Sequence, residues 1–130
     1  MLPKATWLAL VASLTLAAPV AASGGIWCEG DNVFAEIGTG RLPVLHIVGA
    51  HAEAGEVAYS TGPERGDGKP FVVGQAFGDD TGIMIDFVDP NFQDIVVSIR
   101  LRYEGGDADW PLMGTMVLDS TSHAIRCGAD

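Results

Sequence analysis

The residues able to do chemistry are few and widely spaced. There are three histidines, His46, His51 and His123. A catalytic zinc ion needs about three protein ligands converging on one point. His46 and His51 are five apart in a segment that reads as strand, so they project from opposite faces. Nothing in the spacing brings His123 to either. The serines Ser60, Ser98, Ser120 and Ser122 all lie outside the Gly-x-Ser-x-Gly elbow that activates a hydrolase nucleophile. Paired carboxylates could in principle cleave a glycoside, but a domain this small seldom builds the long cleft a polysaccharide needs. The densest run of acids is Asp79, Asp80, Asp86, Asp89 and Asp94. A calcium ion takes about six to eight oxygens from closely spaced ligands. Neither the EF-hand spacing nor a Gly-rich nonapeptide repeat is present, and Asp89-Pro90-Asn91 reads as a turn starter. Turn chemistry is therefore expected of these acids. The expectation is no catalytic residue, no metal site and no cofactor.

Other side chains point to binding. Arg100 and Arg102 are two apart and share one strand face. They could form a fork for a carboxylate or phosphate. The expected use is cross-strand pairing with some of the many acids. Trp27 adjoins Cys28 and is expected to pack on a disulfide. Trp110-Pro111 follows a Gly/Asp loop, and Tyr59 precedes another loop. Aromatic anchors near loops are common in binding surfaces. The candidate binding residues are thus Trp110, Tyr59, Arg100 and Arg102. Cys28 and Cys127 lack CxxC spacing and a neighbouring histidine. In an exported chain they are expected to form one disulfide joining the two ends of the domain. Chain-entropy models give about 4.7 kcal/mol for a loop of that length.

These side chains must be held by short strands. No long segment has a helical period; apolar runs are broken instead by Gly, Pro, Asp and Asn. Eight strands are expected. They are Ile26–Ile37 (broken near Gly30-Asp31-Asn32), Leu42–Ala52, Glu56–Thr61, Phe71–Phe77, Ile83–Val88, Ile95–Tyr103, Leu112–Leu118 and His123–Cys127. The loop Gly62–Lys69 is the longest irregular segment, and Asp89–Gln93 could form a single helical turn. Ile95, Val97, Ile99, Leu101 and Tyr103 alternate with Val96, Ser98, Arg100, Arg102 and Glu104, which gives one buried and one wet face. Connections of about two to eight residues leave no room for crossover helices. The predicted fold is all-β, a small antiparallel barrel or a two-sheet sandwich.

The chain has 130 residues, with 7 Lys or Arg against 17 Asp or Glu and a net charge of −10. Met1–Lys4, the apolar run Ala5–Ala18 and the small residues Val20-Ala21-Ala22 read as a signal peptide over residues 1–22. The apolar run is too short for a spanning helix of about 20 residues. Removal of the leader leaves one domain, Ser23–Asp130, of 108 residues with six basic and 17 acidic side chains, hence −11. A periplasmic or secreted location is expected, with no membrane insertion after cleavage. Such acidity argues against nucleic acid, whose phosphates require clustered Lys and Arg. It favours fast association with a basic protein. A structural or envelope-assembly role without a discrete ligand is the alternative, and a small metal-dependent enzyme a more distant one. In outline, the chain is similar to small periplasmic inhibitor and binding barrels, the bacterial lysozyme inhibitors among them. Tyr59-Ser60-Thr61-Gly62 loosely echoes that family's Ser-Gly-rich loop with a nearby Tyr. No functional residue is carried over from the resemblance.

Overall fold

Alternation of apolar and polar residues, interrupted by tight turns, produces a single ten-stranded sheet in the computed structural model, which describes Gly24–Glu104 and Gly106–Asp130. The expected leader, residues 1–22, lies outside the described residues. The strands are β1 (Gly24–Gly30), β2 (Val33–Thr39), β3 (Ile47–Ala54), β4 (Val57–Ser60) and β5 (Lys69–Pro70), followed by β6 (Val72–Gly78), β7 (Gly82–Val88), β8 (Ile95–Tyr103), β9 (Leu112–Leu118) and β10 (Thr121–Ala129). Their order across the sheet is β5-β4-β3-β2-β1-β10-β9-β8-β7-β6. Every pairing is antiparallel except the two-residue β4–β5 contact. The sheet curls on itself into a nearly closed barrel. Its two edges come together where Phe71, the residue between β5 and β6, donates its N–H to the Ser60 carbonyl at 3.2 Å.

The all-β expectation stands; the count of eight becomes ten. The expected first strand is a full hairpin, because Asn32 adopts φ 58° and reverses the chain between β1 and β2. The expected second strand loses its first half. Leu42–His46 belongs to a loop closed by Gly40 N–H to His46 O at 2.8 Å, and Pro43 within it has no N–H for a ladder. Lys69–Pro70 forms the additional short strand β5. No helical turn forms at Asp89–Gln93; among the described residues the one 3-10 turn is Pro63–Arg65, inside the polar loop. Asp119 and Ser120, at φ 48° and 70°, make the two-residue turn between β9 and β10. Left-handed turn residues suit the right-handed twist of the flanking strands.

One face of the sheet forms the core, from Ile26, Ala35, Ile37, Ala50 and Ala52 round to Ile85, Phe87, Val97, Ile99, Leu112 and Met116. A parallel aromatic stack closes it at the seam. The rings of Tyr59 and Phe71 lie 5.5 Å apart, and those of Phe71 and Phe87 4.2 Å apart. Ile95 and Tyr103 share the inward face of β8 but are exposed, because they overhang the barrel rims at the two strand ends. Cys28 and Cys127 stand directly opposite each other on β1 and β10, Cα atoms 4.1 Å apart, and form a disulfide buried in the core. Disulfides persist in oxidising compartments. Among the described residues, no helix is long and apolar enough to cross a membrane.

Candidate functional site

Arg100 and Arg102 both find carboxylates. Asp86 on β7 lies opposite Ser98 of β8 and beside Gln75 of β6. It sits on the outer face of the sheet, yet it is only 2% exposed because its neighbours cover it. Arg100 grips it with Nη1 to Oδ1 at 2.9 Å and Nη2 to Oδ2 at 3.2 Å. Ser98 Oγ donates to Oδ1 at 2.8 Å, and Gln75 Nε2 donates to Oδ2. Burial alone would raise the Asp86 pKa, but the hydrogen bonds from Arg100, Gln75 and Ser98 and the Arg100 charge outweigh it and hold the carboxyl below its ordinary value. Arg100 also donates to the Ile99 and Ile85 carbonyls. Arg102 is highly exposed and pairs with Glu104 at 2.9 Å. The two arginines line a hollow of about 540 Å³ on the outer face together with Phe77, Met84 and Thr115. With both guanidinium groups already matched to acids, the hollow is not a bare anion fork.

Tyr59 is not a surface anchor. It is 6% exposed and belongs to the core stack. Strand β4 points its ring inward, and its hydroxyl reaches the β9–β10 turn, donating to Asp119 Oδ1 at 2.6 Å. Burial, then the hydrogen bond to Asp119 and its charge, push the Tyr59 pKa up from 10.0 to about 12. Trp110 is half-buried beneath Arg126, whose guanidinium lies 4.2 Å from the ring centroid and pairs with Glu29 at 2.6 Å. Trp27 does not pack on the disulfide. Successive strand residues face opposite sides, so Cys28 points into the core while Trp27 lies outside, 37% exposed, over the bare backbone of Gly128.

The acids of the central hairpin are engaged by their own turns. Asp79 Oδ1 accepts from Thr81 N–H at 2.8 Å, Thr81 Oγ1 at 2.6 Å and Gly82 N–H at 3.2 Å. Asp89 accepts from the N–H groups of Asn91, Gln93 and Asp94. These hydrogen bonds lower both carboxyl pKa values. Asp80 is exposed in the same turn as Asp79. Among the described residues, no three His, Cys, Asp or Glu are grouped to hold a metal ion.

A surface emerges that no single segment announces. The up-and-down course of the strands brings four turns to one end of the barrel: Asp31-Asn32, Gly55-Glu56, Asp89–Asp94 and Asp119-Ser120. Gly55 N–H donates to Asn32 O, and Asp119 N–H to Val96 O, both at 3.0 Å, so neighbouring turns are tied together. The four turns carry Asp31, Glu56, Asp89, Asp94 and Asp119 and no Lys or Arg. Phe92 projects among them, 68% exposed and set at φ 59°, with exposed Ile95 beside the same turn. A hollow of about 320 Å³ opens between Asp31, Asp119 and His123 over Val57 and Leu118. Acids recur in nearly every connection along the sequence, and only the strand order makes these five neighbours. No family model matches the chain, nor does any curated protein or solved structure.

Proposed function

We propose that this domain is an exported, non-catalytic binding module, inhibitor-like in holding a basic protein against the acidic turn end of its barrel. The observation that carries the reading is the end itself, with five carboxylates, no basic residue in its four turns, and a projecting Phe92. Exposed acids steer a basic partner from a distance, and an aromatic anchor supplies short-range contact area. The leader pattern and the buried disulfide support export into an oxidising compartment.

Crosslinked capture from a native periplasmic extract, at low and high salt, tests this. Wild-type protein and an Asp31→Asn, Glu56→Gln, Asp94→Asn triple variant are compared. The expected partner is basic, is released at high salt, and is lost from the triple variant and weakened by Phe92→Ala. Equal capture by all forms, or acidic partners only, would overturn the reading.

A further inference from the structure

Beside Trp27 the outer face of the sheet carries a strip of bare backbone. Gly25 of β1 pairs with Gly38 of β2, and Gly38 with Gly49 of β3. Each lies two residues from an outward side chain (Trp27, Glu36 or His51), so all three positions face outward. Arg65, from the 3-10 turn, lies across this strip. A Cβ on Gly49 would collide with its Nε, and one on Gly38 with Nη1 and Nη2, so the guanidinium reaches from β3 toward β1. Gly25, next in the row, is uncovered. Only Ile37 O and Asp130 Oδ1 come within 4 Å of where its Cβ would stand. Here a hollow of about 330 Å³ opens, bounded by Arg65, Trp27, Glu36 and Asp130. A Cβ on Gly128 would strike the Trp27 indole, so the ring is seated on the sheet there while 37% of the residue stays exposed.

The polar groups around this hollow are largely unmatched. Arg100, Arg102 and Arg126 each meet a carboxylate, but among the described residues Arg65 and Glu36 form no ion pair. Asp130 commits one oxygen, Oδ1, to the Gly25 N–H at 2.6 Å. A guanidinium only donates hydrogen bonds, and an ionised carboxylate only accepts them. We propose that the hollow binds one ring of a neutral sugar, a pyranose with its C–H face on Trp27 and its hydroxyls between Arg65 and the two acids. A hydroxyl both donates and accepts, so neighbouring hydroxyls take hydrogen bonds from Arg65 and give them to Glu36 and Asp130. The negative face of the indole attracts the C–H groups. Charge selects a neutral ligand. An anion would meet Glu36, Asp130 and a net charge of −10. A cation would meet Arg65 and leave its N–H groups unmatched. The volume lies near the lower end of the about 300–1,000 Å³ of small-molecule sites, which suits a single ring.

Two-dimensional NMR titration of the protein with methyl pyranosides of glucose, galactose, mannose and N-acetylglucosamine is the test, with glucuronate and glucosamine as charged probes. The expected result is a saturable shift with at least one neutral pyranoside, centred on the Gly25 and Gly38 amides and the Trp27 indole N–H. Salt leaves this binding unchanged, unlike capture of a basic partner at the acidic end, so the two readings fail independently. Trp27→Ala and Arg65→Ala each weaken binding at least tenfold. Glu36→Gln, nearly isosteric and at an exposed position, weakens it several-fold with the rest of the spectrum intact. Phe92→Ala, at the turn end, leaves it unchanged. Silence with every neutral pyranoside overturns the proposal. So do shifts centred elsewhere on the barrel, tighter binding of either charged probe, or undiminished binding by the Trp27→Ala protein.

Discussion

Asp86 illustrates how a single side chain on the wet face can behave as a core residue. Its carboxylate is covered by the groups that bind it, so removing it strands Arg100, Ser98 and Gln75 together. Asp86→Ala is expected to lower stability by about 2 kcal/mol, less than a fully buried pair because Arg100 remains half-exposed. Chemical denaturation measures this. Its pKa is depressed on folding, so its contribution is present above the ordinary carboxyl value and is lost as pH falls through the depressed one. Asp86→Asn should flatten that acid limb. Tyr59 works in the opposite sense. Its pKa rises from 10.0 to about 12, so its contribution is complete below pH 10 and disappears as pH climbs through about 12. Alkaline unfolding followed by near-ultraviolet absorbance should show a phenolate step coupled to loss of structure, and Tyr59→Phe should abolish that coupling.

At the scale of the element, alternation in β7 and β8 is legible in the residues themselves: Ile83, Ile85 and Phe87 against Met84 and Asp86, and Val97, Ile99 and Leu101 against Ser98 and Arg100. Strand ends are harder to read. Leu42–His46 is apolar enough for a strand, but Pro43 and the Gly40–His46 hydrogen bond make it a loop. Trp27 shows why a neighbour in sequence is a poor guide to contact, since one step along a strand moves a side chain to the other side of the sheet. The acidic end is illegible for a different reason: its five carboxylates are up to 88 positions apart, from Asp31 to Asp119, and only the strand order unites them. The disulfide belongs to this scale too. It staples β1 to β10, and both sulfurs are shielded in the core. Reductant should act on the folded protein slowly and on the unfolded protein quickly, as thiol titration would show. A Cys28→Ala, Cys127→Ala variant should lose about 2–5 kcal/mol.

The whole molecule is a sheet whose first and last long strands meet in the middle and whose edges meet at Phe71. That arrangement gathers the acidic turns at one end. Raising salt should weaken association of a basic partner there, and a salt titration of binding would show the slope. The disulfide has a further consequence when the chain is cut. Trypsin cleaving after Arg65 would divide the strands into β1–β4 and β5–β10. The two fragments would remain one covalent molecule, held by Cys28–Cys127 and zipped along the β1–β10 ladder. The nicked protein should therefore migrate as a single species until reduced, with the break hidden from any assay that reads only size.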